Sequence, residues 1–187
     1  VTTSHVLAAE VVLPNAEIVT LGGIDPEPSG YDLRGLFIGS EGTLGIITAA
    51  VLKLYPAPRA KETTFVAVRN PETMLDLFSR VRAACGDNLS AFEMVPRLGV
   101  ELGCHHIAGV TDPMTAPHPF YALIELTSPR ESESLRESLE AILEEALEAG
   151  IVEDAVIAAS ESQAKDLWRI RETIPEAQKS EGGLIKH

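Results

Sequence analysis

Along most of the chain, short apolar runs of strand length alternate with segments in which apolar residues recur at helical spacing. Apolar runs bounded by polar residues predict strands, and apolar residues three or four positions apart predict helices with one buried face. Strands are predicted over 63–68, 89–95, 120–126 and 155–159. Helices are predicted over 71–84, 98–106, 129–149 and from 161 onward.

Residues that start and stop helices mark the ends of these segments. Asn70 occupies an N-cap position with proline directly after it, and Gly86 ends the same helix. Ser128-Pro129-Arg130-Glu131 has the form of a capping box, which predicts the start of a helix that ends at Gly150. Ser160 is the expected cap of the last helix.

Strands dominate the first part of the chain. The predicted elements are strands over 6–13 and 17–21, a loop over 22–30, a short helix over 31–37 and a strand over 46–55. Pro14-Asn15-Ala16 provides a turn, so the first two strands form a β-hairpin. Pro56-Ala57-Pro58 is a stiff connector and marks a predicted domain boundary. We therefore divide the chain into residues 1–57 and 58–187.

The order of elements after this boundary predicts the fold. Strand-helix-strand occurs twice, with an extra helix between the two halves. Two such units form an antiparallel sheet with helices on one face, which is the ferredoxin-like arrangement. The predicted fold class is α+β.

A glycine-rich segment lies between the short helix and the third strand. The sequence over 30–48 is GYDLRGLFIGSEGTLGIIT, with glycines at 35, 39, 42 and 45. Glycine permits tight turns and lets a ligand lie against bare main chain. The spacing matches neither the P-loop nor the dinucleotide-binding fingerprint. From the residues alone, a structural turn and a ligand-binding turn both remain open.

Charge narrows the range of partners. The chain has 187 residues, 15 basic and 28 acidic, and a net charge of −13. Such a surface repels nucleic acid and anionic lipid, so we expect neither as a partner. No apolar stretch in the sequence approaches the length of a membrane span. An anionic substrate therefore requires a local basic pocket.

The two cysteines and the histidines give no metal motif. Cys85 and Cys104 lack CxxC partners and are expected to be free thiols in a reducing compartment, which predicts a cytoplasmic location. His105 and His106 are adjacent and point in different directions, while His118 lies between prolines. We therefore predict no metal site within the chain.

One arginine occupies an unusual position in the last predicted helix. The apolar face of that helix contains Ala164, Leu167, Trp168, Ile170 and Ile174. Arg171 lies in the middle of this face, where an unpaired guanidinium is costly. The position therefore implies an anion. An internal carboxylate and a bound ligand are both open alternatives.

Several segments resemble a known family. The segment GSEGTLGIIT at 39–48 is similar to the last flavin-contacting segment of the FAD-linked oxidases of the vanillyl-alcohol oxidase/p-cresol methylhydroxylase superfamily. LSAFE at 89–93, PFYALIE at 119–125 and LWRIRE at 167–172 resemble the D-2-hydroxyglutarate dehydrogenase branch. The resemblance implies that residues 1–57 are the end of a flavin-binding domain and 58–187 a substrate-binding cap domain, both incomplete.

The resemblance also implies the site residues. The residues expected to contact FAD are Glu41, Gly42, Thr43, Leu44, Gly45, Ile46 and Ile47. Arg171 and Lys186 match residues that bind substrate carboxylate. The family has a threonine one helical turn beyond this arginine, and here the position is Pro175. A divalent, zinc-like metal would come from residues outside this chain.

The implied reaction is oxidation of a small D-2-hydroxy acid to the 2-oxo acid by hydride transfer to flavin, with a separate electron acceptor. We expect the 187-residue chain to be a fragment that is inactive by itself. Oxidation of D-lactate or glycolate is the alternative within the same class. A non-catalytic ferredoxin-like module, which binds small molecules or forms a homodimer, is the alternative from another class.

Overall fold

The computed structural model describes residues 2–23, 31–131 and 134–182. The chain divides into two compact units between Pro56 and Ala57. The first unit contains α1 (Thr2–His5), β1 (Val6–Val12), β2 (Ile18–Gly22), α2 (Arg34–Phe37) and β3 (Ile46–Leu52). The second contains β4 (Ala60–Val68), α3 (Pro71–Cys85), β5 (Leu89–Pro96), α4 (Arg97–His106), β6 (Phe120–Ser128), α5 (Leu135–Glu148), β7 (Asp154–Ile157) and α6 (Glu161–Ser180).

The first unit is a three-stranded antiparallel sheet in the order β2-β1-β3. The predicted hairpin between β1 and β2 is confirmed, and Ala16 adopts a left-handed conformation (φ 67°) in its turn. Val6, Ala9 and Val11 of the central strand form the small core. The loop predicted over 22–30 lies largely outside the described residues.

All seven residues of β3 are exposed, although the strand is rich in apolar side chains. Ile46, Val51 and Leu52 are 59%, 46% and 55% exposed. β3 is also one of the two outer strands of its sheet. An outer strand with unpaired backbone groups and apolar side chains can pair with another strand or pack against another apolar surface.

The second unit is a four-stranded antiparallel sheet in the order β5-β6-β4-β7. The connections β4-α3-β5 and β6-α5-β7 interleave, so that the first and third strands of the unit are adjacent in the centre. This is the ferredoxin-like arrangement, and the predicted α+β fold class is confirmed.

Helices cover both faces of this sheet, so the prediction of helices on one face was wrong. Val66 and Ile124 pack on one side with α3 and α5, while Phe65 and Leu123 pack on the other side with α4 and α6. Successive strand residues point to opposite faces. The six residues over 63–68 are all buried, as expected for a strand that is covered on both sides.

The caps of α3 and α6 follow the sequence signals. The Asn70 side chain accepts a hydrogen bond from the backbone N–H of Thr73, and Gly86 at the other end of α3 has φ +53°. The Ser160 side chain accepts from the backbone N–H of Gln163 at 3.2 Å. Each side chain satisfies a donor that the first turn of its helix would otherwise leave free.

The predicted capping box at 128–131 was wrong. Ser128 is the last residue of β6 and pairs with Ala60, because β4 begins three residues earlier than its apolar run. The Ser128 hydroxyl accepts from the backbone N–H of Arg130, and α5 begins only at Leu135. Cross-strand pairing therefore overrides a local helix-start pattern.

Among the described helices, none combines the length and apolarity needed to cross a membrane.

Candidate functional site

The glycine-rich segment forms a tight turn between α2 and β3. The Ser40 carbonyl accepts hydrogen bonds from the backbone N–H of Thr43 at 3.0 Å and from its hydroxyl at 2.7 Å. Gly39, Glu41 and Gly42 all have positive φ, at 89°, 51° and 80°. Glycine adopts this region readily, whereas Glu41 adopts it at some cost. The turn is thus a specific conformation that the sequence maintains.

This turn presents polar and apolar groups suited to a flat ligand with polar edges. The backbone N–H groups of Glu41, Gly42 and Leu44 donate no hydrogen bond within the described part of the chain. The Leu44, Ile46 and Ile47 side chains beside them are 47%, 59% and 43% exposed. Exposed amides next to an exposed apolar side chain can contact a flat ligand that has a hydrogen-bonding edge and an apolar face. Binding of FAD by this turn remains a prediction.

Gly45 is required by close packing, whereas Gly39 and Gly42 are favoured by their positive φ. Gly45 is buried, and a Cβ atom added to it would lie 2.8 Å from Val11 Cγ1 and 2.9 Å from the Val12 carbonyl oxygen. The glycine therefore allows the turn to pack against β1. Its predicted contact with FAD remains a prediction.

Arg34 attaches the start of α2, the helix before this turn, to β1, a role that the sequence reasoning missed. Its Nη1 donates to the carbonyls of Val6 and Leu7 at 2.7 and 2.9 Å. Its Nε and Nη2 donate to the Asp32 carboxylate at 2.8 and 2.7 Å. This hydrogen-bonded pair lowers the pKa of Asp32 and raises the pKa of Arg34. Asp32 thus orients Arg34 at the start of α2, and the Asp-x-Arg spacing is the sequence signal for this pair.

Arg171 is half-exposed, so the expectation that it is buried was wrong. Its Nε donates to Glu93 Oε2 at 3.1 Å, and the two side chains are 41% and 39% exposed. This is the internal-carboxylate alternative. Its Nη1 and Nη2 make no hydrogen bond within the described residues. Substrate binding by Arg171 therefore stays a prediction, and Lys186 lies outside the described residues.

Glu125 is a buried carboxylate on the face of the sheet that α6 covers. It is 8% exposed and accepts from Trp168 Nε1 at 2.8 Å and from Lys61 Nζ at 2.9 Å. The hydroxyls of Thr63 and Ser90 lie 3.4 and 3.3 Å from its oxygens. A buried charge of this kind is stable only with such partners.

Two carboxylates on adjacent strands therefore contact one helix. Glu125 of β6 lies opposite Ala91 of β5, and Glu93 is two residues farther along β5. Because side chains two positions apart share a face, both carboxylates point toward α6. Their partners Trp168 and Arg171 are three residues apart, hence one helical turn apart. The sequence signal, missed at first, is a glutamate inside each apolar strand run.

An open pocket of about 710 Å³, with a lining of mixed polar and apolar character, lies beside this network. It is lined by Arg59, Ala60, Lys61, Glu62, Thr63, Glu131, Ser134, Leu135, Arg136, Ala158, Ala159, Ser160, Glu161, Ala164, Lys165 and Trp168. Basic and acidic side chains are nearly balanced in this lining, and Arg171 is not one of them. Among the described residues, the predicted substrate-binding residue Arg171 therefore lies outside this pocket.

His106 and His118 each contact a carboxylate, and the two cysteines are free thiols. His106 contacts Glu181, and His118 contacts Glu153. No group of three or more potential metal ligands occurs in the part of the chain that the structure describes. Cys85 and Cys104 are free, as predicted, and burial raises the pKa of both thiols.

Comparison with known proteins places the second unit in a described family. Residues 57–186 match the family described as FAD linked oxidases, C-terminal domain. The match covers well over half of the chain.

Curated relatives extend the similarity across nearly the whole chain. The mitochondrial D-2-hydroxyglutarate dehydrogenase of Arabidopsis thaliana is 38% identical over 183 residues, which are 97% of this chain and 33% of that protein. The D-2-hydroxyglutarate–pyruvate transhydrogenase DLD3 of Saccharomyces cerevisiae is 33% identical, over 98% of this chain and 37% of that protein. A putative mitochondrial D-lactate dehydrogenase of Schizosaccharomyces pombe is 35% identical, over 97% and 35%. The chain spans about a third of the length of these relatives.

Solved structures support the fold. p-Cresol methylhydroxylase aligns with a TM-score of 0.62 and 16% identity, over 90% of this chain and 37% of that one. Alkyldihydroxyacetonephosphate synthase aligns with a TM-score of 0.57 and 17% identity, over 92% and 34%. At such low identity the likeness shows the fold alone.

The comparisons correct the predicted location. Relatives from Arabidopsis thaliana, Rattus norvegicus and Schizosaccharomyces pombe are named as mitochondrial proteins. These names point to mitochondria, so the cytoplasmic prediction was wrong. Free thiols indicate a reducing environment, but they do not distinguish among reducing compartments.

Proposed function

The chain belongs to the FAD-linked oxidases through their C-terminal domain, and from this premise we propose that it is part of an FAD-dependent enzyme that oxidises a D-2-hydroxy acid to the 2-oxo acid. The observation that carries the proposal is the open edge of the Arg171 guanidinium, whose Nη1 and Nη2 have no partner among the described residues. Relatives named D-2-hydroxyglutarate dehydrogenases support a 2-hydroxyglutarate-like substrate.

On the substrate side, the chain supplies positive charge. Arginine binds a carboxylate through two parallel N–H groups, which fixes both the position and the orientation of the acid. The free edge of Arg171 fits one substrate carboxylate in this way. Lys186 is proposed as a second cation that acts as a point charge. The chain as a whole is strongly acidic, so these local cations are needed to attract an anion.

On the cofactor side, the chain supplies the turn over 41–47. FAD, when bound, supplies the oxidising power for conversion of the hydroxy acid. The exposed amides of Glu41, Gly42 and Leu44 would hold its polar groups. Ile46 and Ile47 point to opposite faces of β3, so one of these two side chains would contact its ring. Proximity and orientation are then the contribution of the protein.

The proposal is tested by replacing Arg171 in the full-length FAD-loaded protein. Arg171→Gln should raise KM for D-2-hydroxyglutarate by about tenfold to a hundredfold, because a charge-assisted pair is lost. Arg169→Gln is the matched control, since Arg169 lies on the same helix, is exposed and, among the residues that the structure describes, donates only to the Ala108 carbonyl. Flavin reduction measured by absorbance gives both constants. Equal KM values for the two variants would exclude the proposed role of Arg171.

D-Lactate is the second candidate substrate, on two observations. Pro175 replaces a threonine that the resemblance placed beside the substrate, and one relative is named a putative D-lactate dehydrogenase. A panel of D-2-hydroxyglutarate, D-lactate and glycolate, compared by kcat/KM, decides between diacid and monoacid. A full-length protein that contains no flavin and oxidises none of them would favour the non-catalytic binding module.

A further inference from the structure

Glu93 and Arg171 form a pair whose geometry leaves half of the guanidinium unused. A guanidinium offers five N–H donors in a rigid, planar fork. Glu93 takes only the Nε donor, at 3.1 Å. Because the group is planar, fixing Nε also fixes the direction in which the Nη1–Nη2 edge points. We propose that Glu93 is a positioning residue that orients the Arg171 guanidinium for a ligand carboxylate.

The pair has little value as a structural salt bridge. Both side chains are about two-fifths exposed, and exposed ion pairs add little to stability because water screens them. A permanent structural pair is also commonly bidentate, whereas this one uses a single hydrogen bond. The geometry is better suited to orienting a side chain that has a second partner.

The helix that carries Arg171 has an independent attachment one turn earlier. Trp168 Nε1 donates to the buried Glu125 at 2.8 Å, and Leu167 and Ile170 are buried against the sheet. The backbone at Arg171 is therefore held without Glu93. Loss of the Glu93 carboxylate would release the side chain of Arg171 and leave α6 in place.

The charge of Glu93 and its hydrogen bond have opposite effects on an anionic ligand. The negative charge repels a carboxylate, while the hydrogen bond holds the guanidinium that receives it. Glutamine at 93 retains an acceptor for Nε and removes the charge. Alanine at 93 removes both. The two variants therefore separate orientation from electrostatic competition.

This inference rests on the proposed function, and its test uses the full-length FAD-loaded protein. Glu93→Ala should raise KM for D-2-hydroxyglutarate, and Kd for 2-oxoglutarate, by about tenfold with kcat nearly unchanged. Glu93→Gln should leave both constants within about twofold of the parent value. Calorimetry gives Kd without turnover. Glu172→Gln is the matched control, because it removes an exposed charge from the adjacent position on α6.

The outcomes separate this inference from the proposed function. If Arg171→Gln weakens binding and Glu93→Ala does not, the positioning role is wrong and the function of Arg171 stands. If neither variant changes KM or Kd, the proposed substrate site itself is wrong. Tighter binding in both Glu93 variants would show that Glu93 competes with the ligand, which contradicts positioning. A lower Tm with unchanged KM and Kd would show a structural role only.

Discussion

At the scale of single residues, Gly45 shows how a glycine in a ligand-like motif can be required by packing. A Cβ at this position would lie under 3.0 Å from both Val11 and Val12. Gly45→Ala should therefore lower the free energy of unfolding of the first unit by about 1–3 kcal/mol, because the contact with the Val12 carbonyl oxygen cannot be relieved without moving the backbone of β1. Denaturant unfolding measures the change. Gly35→Ala is the control, since nothing lies within 4 Å of its Cβ position, and this variant should be neutral or slightly stabilising.

Glu125 supports a second prediction at this scale. Glu125→Ala removes the acceptor of the Trp168 indole and the partner of Lys61. We expect a loss of about 1–3 kcal/mol, because partly buried donors are left unsatisfied. Trp168 is the only tryptophan of the chain, so its fluorescence reports directly on this contact. The emission of folded Glu125→Ala should shift relative to the parent, whereas Glu144→Gln on the exposed face of α5 should leave it unchanged.

At the scale of elements, α6 contains a proline that weakens it beside the proposed site. Proline has no N–H, so the Arg171 carbonyl, four residues before Pro175, has no α-helical donor from that position. Pro175→Ala and Pro175→Thr both restore the donor and should raise the free energy of unfolding by about 1–3 kcal/mol. Thermal unfolding tests this expectation. Glu176→Ala is the control for a change at the adjacent exposed position. Equal Tm values in Pro175→Ala, Pro175→Thr and Glu176→Ala would contradict the expected stabilisation.

The elements also show what the sequence could and could not predict. Apolar runs predicted every strand of the two described sheets, because the burial of a strand is visible in the apolar residues of that short segment itself. The start of α5 was missed, because Ser128 belongs to β6 through its pairing with Ala60, which is far away in sequence. The partner of Arg171 was also missed. Glu93 is 78 residues away in sequence. A helical wheel shows neither which strand packs against the helix nor how exposed a residue on its apolar face remains.

At the scale of the whole molecule, the chain spans about a third of its relatives. We propose that the 187-residue chain alone binds FAD weakly and does not oxidise D-2-hydroxyglutarate, because it supplies only one short turn toward the cofactor. Purification of this chain followed by an absorbance spectrum provides the test. A yellow protein whose flavin is reduced by D-2-hydroxyglutarate would overturn the proposal. The full-length protein, prepared in parallel, controls for loss of cofactor during purification.

The exposure of strand β3 has a consequence for the stability of the polypeptide in the cell. Its seven residues over 46–52 are all exposed, and it lies at the outside of its sheet. Molecular chaperones and proteases recognise exposed, extended apolar segments. Identical segments from two copies can also pair with each other. We therefore expect copies in which this strand stays uncovered to aggregate or to be degraded more readily than copies in which it is covered.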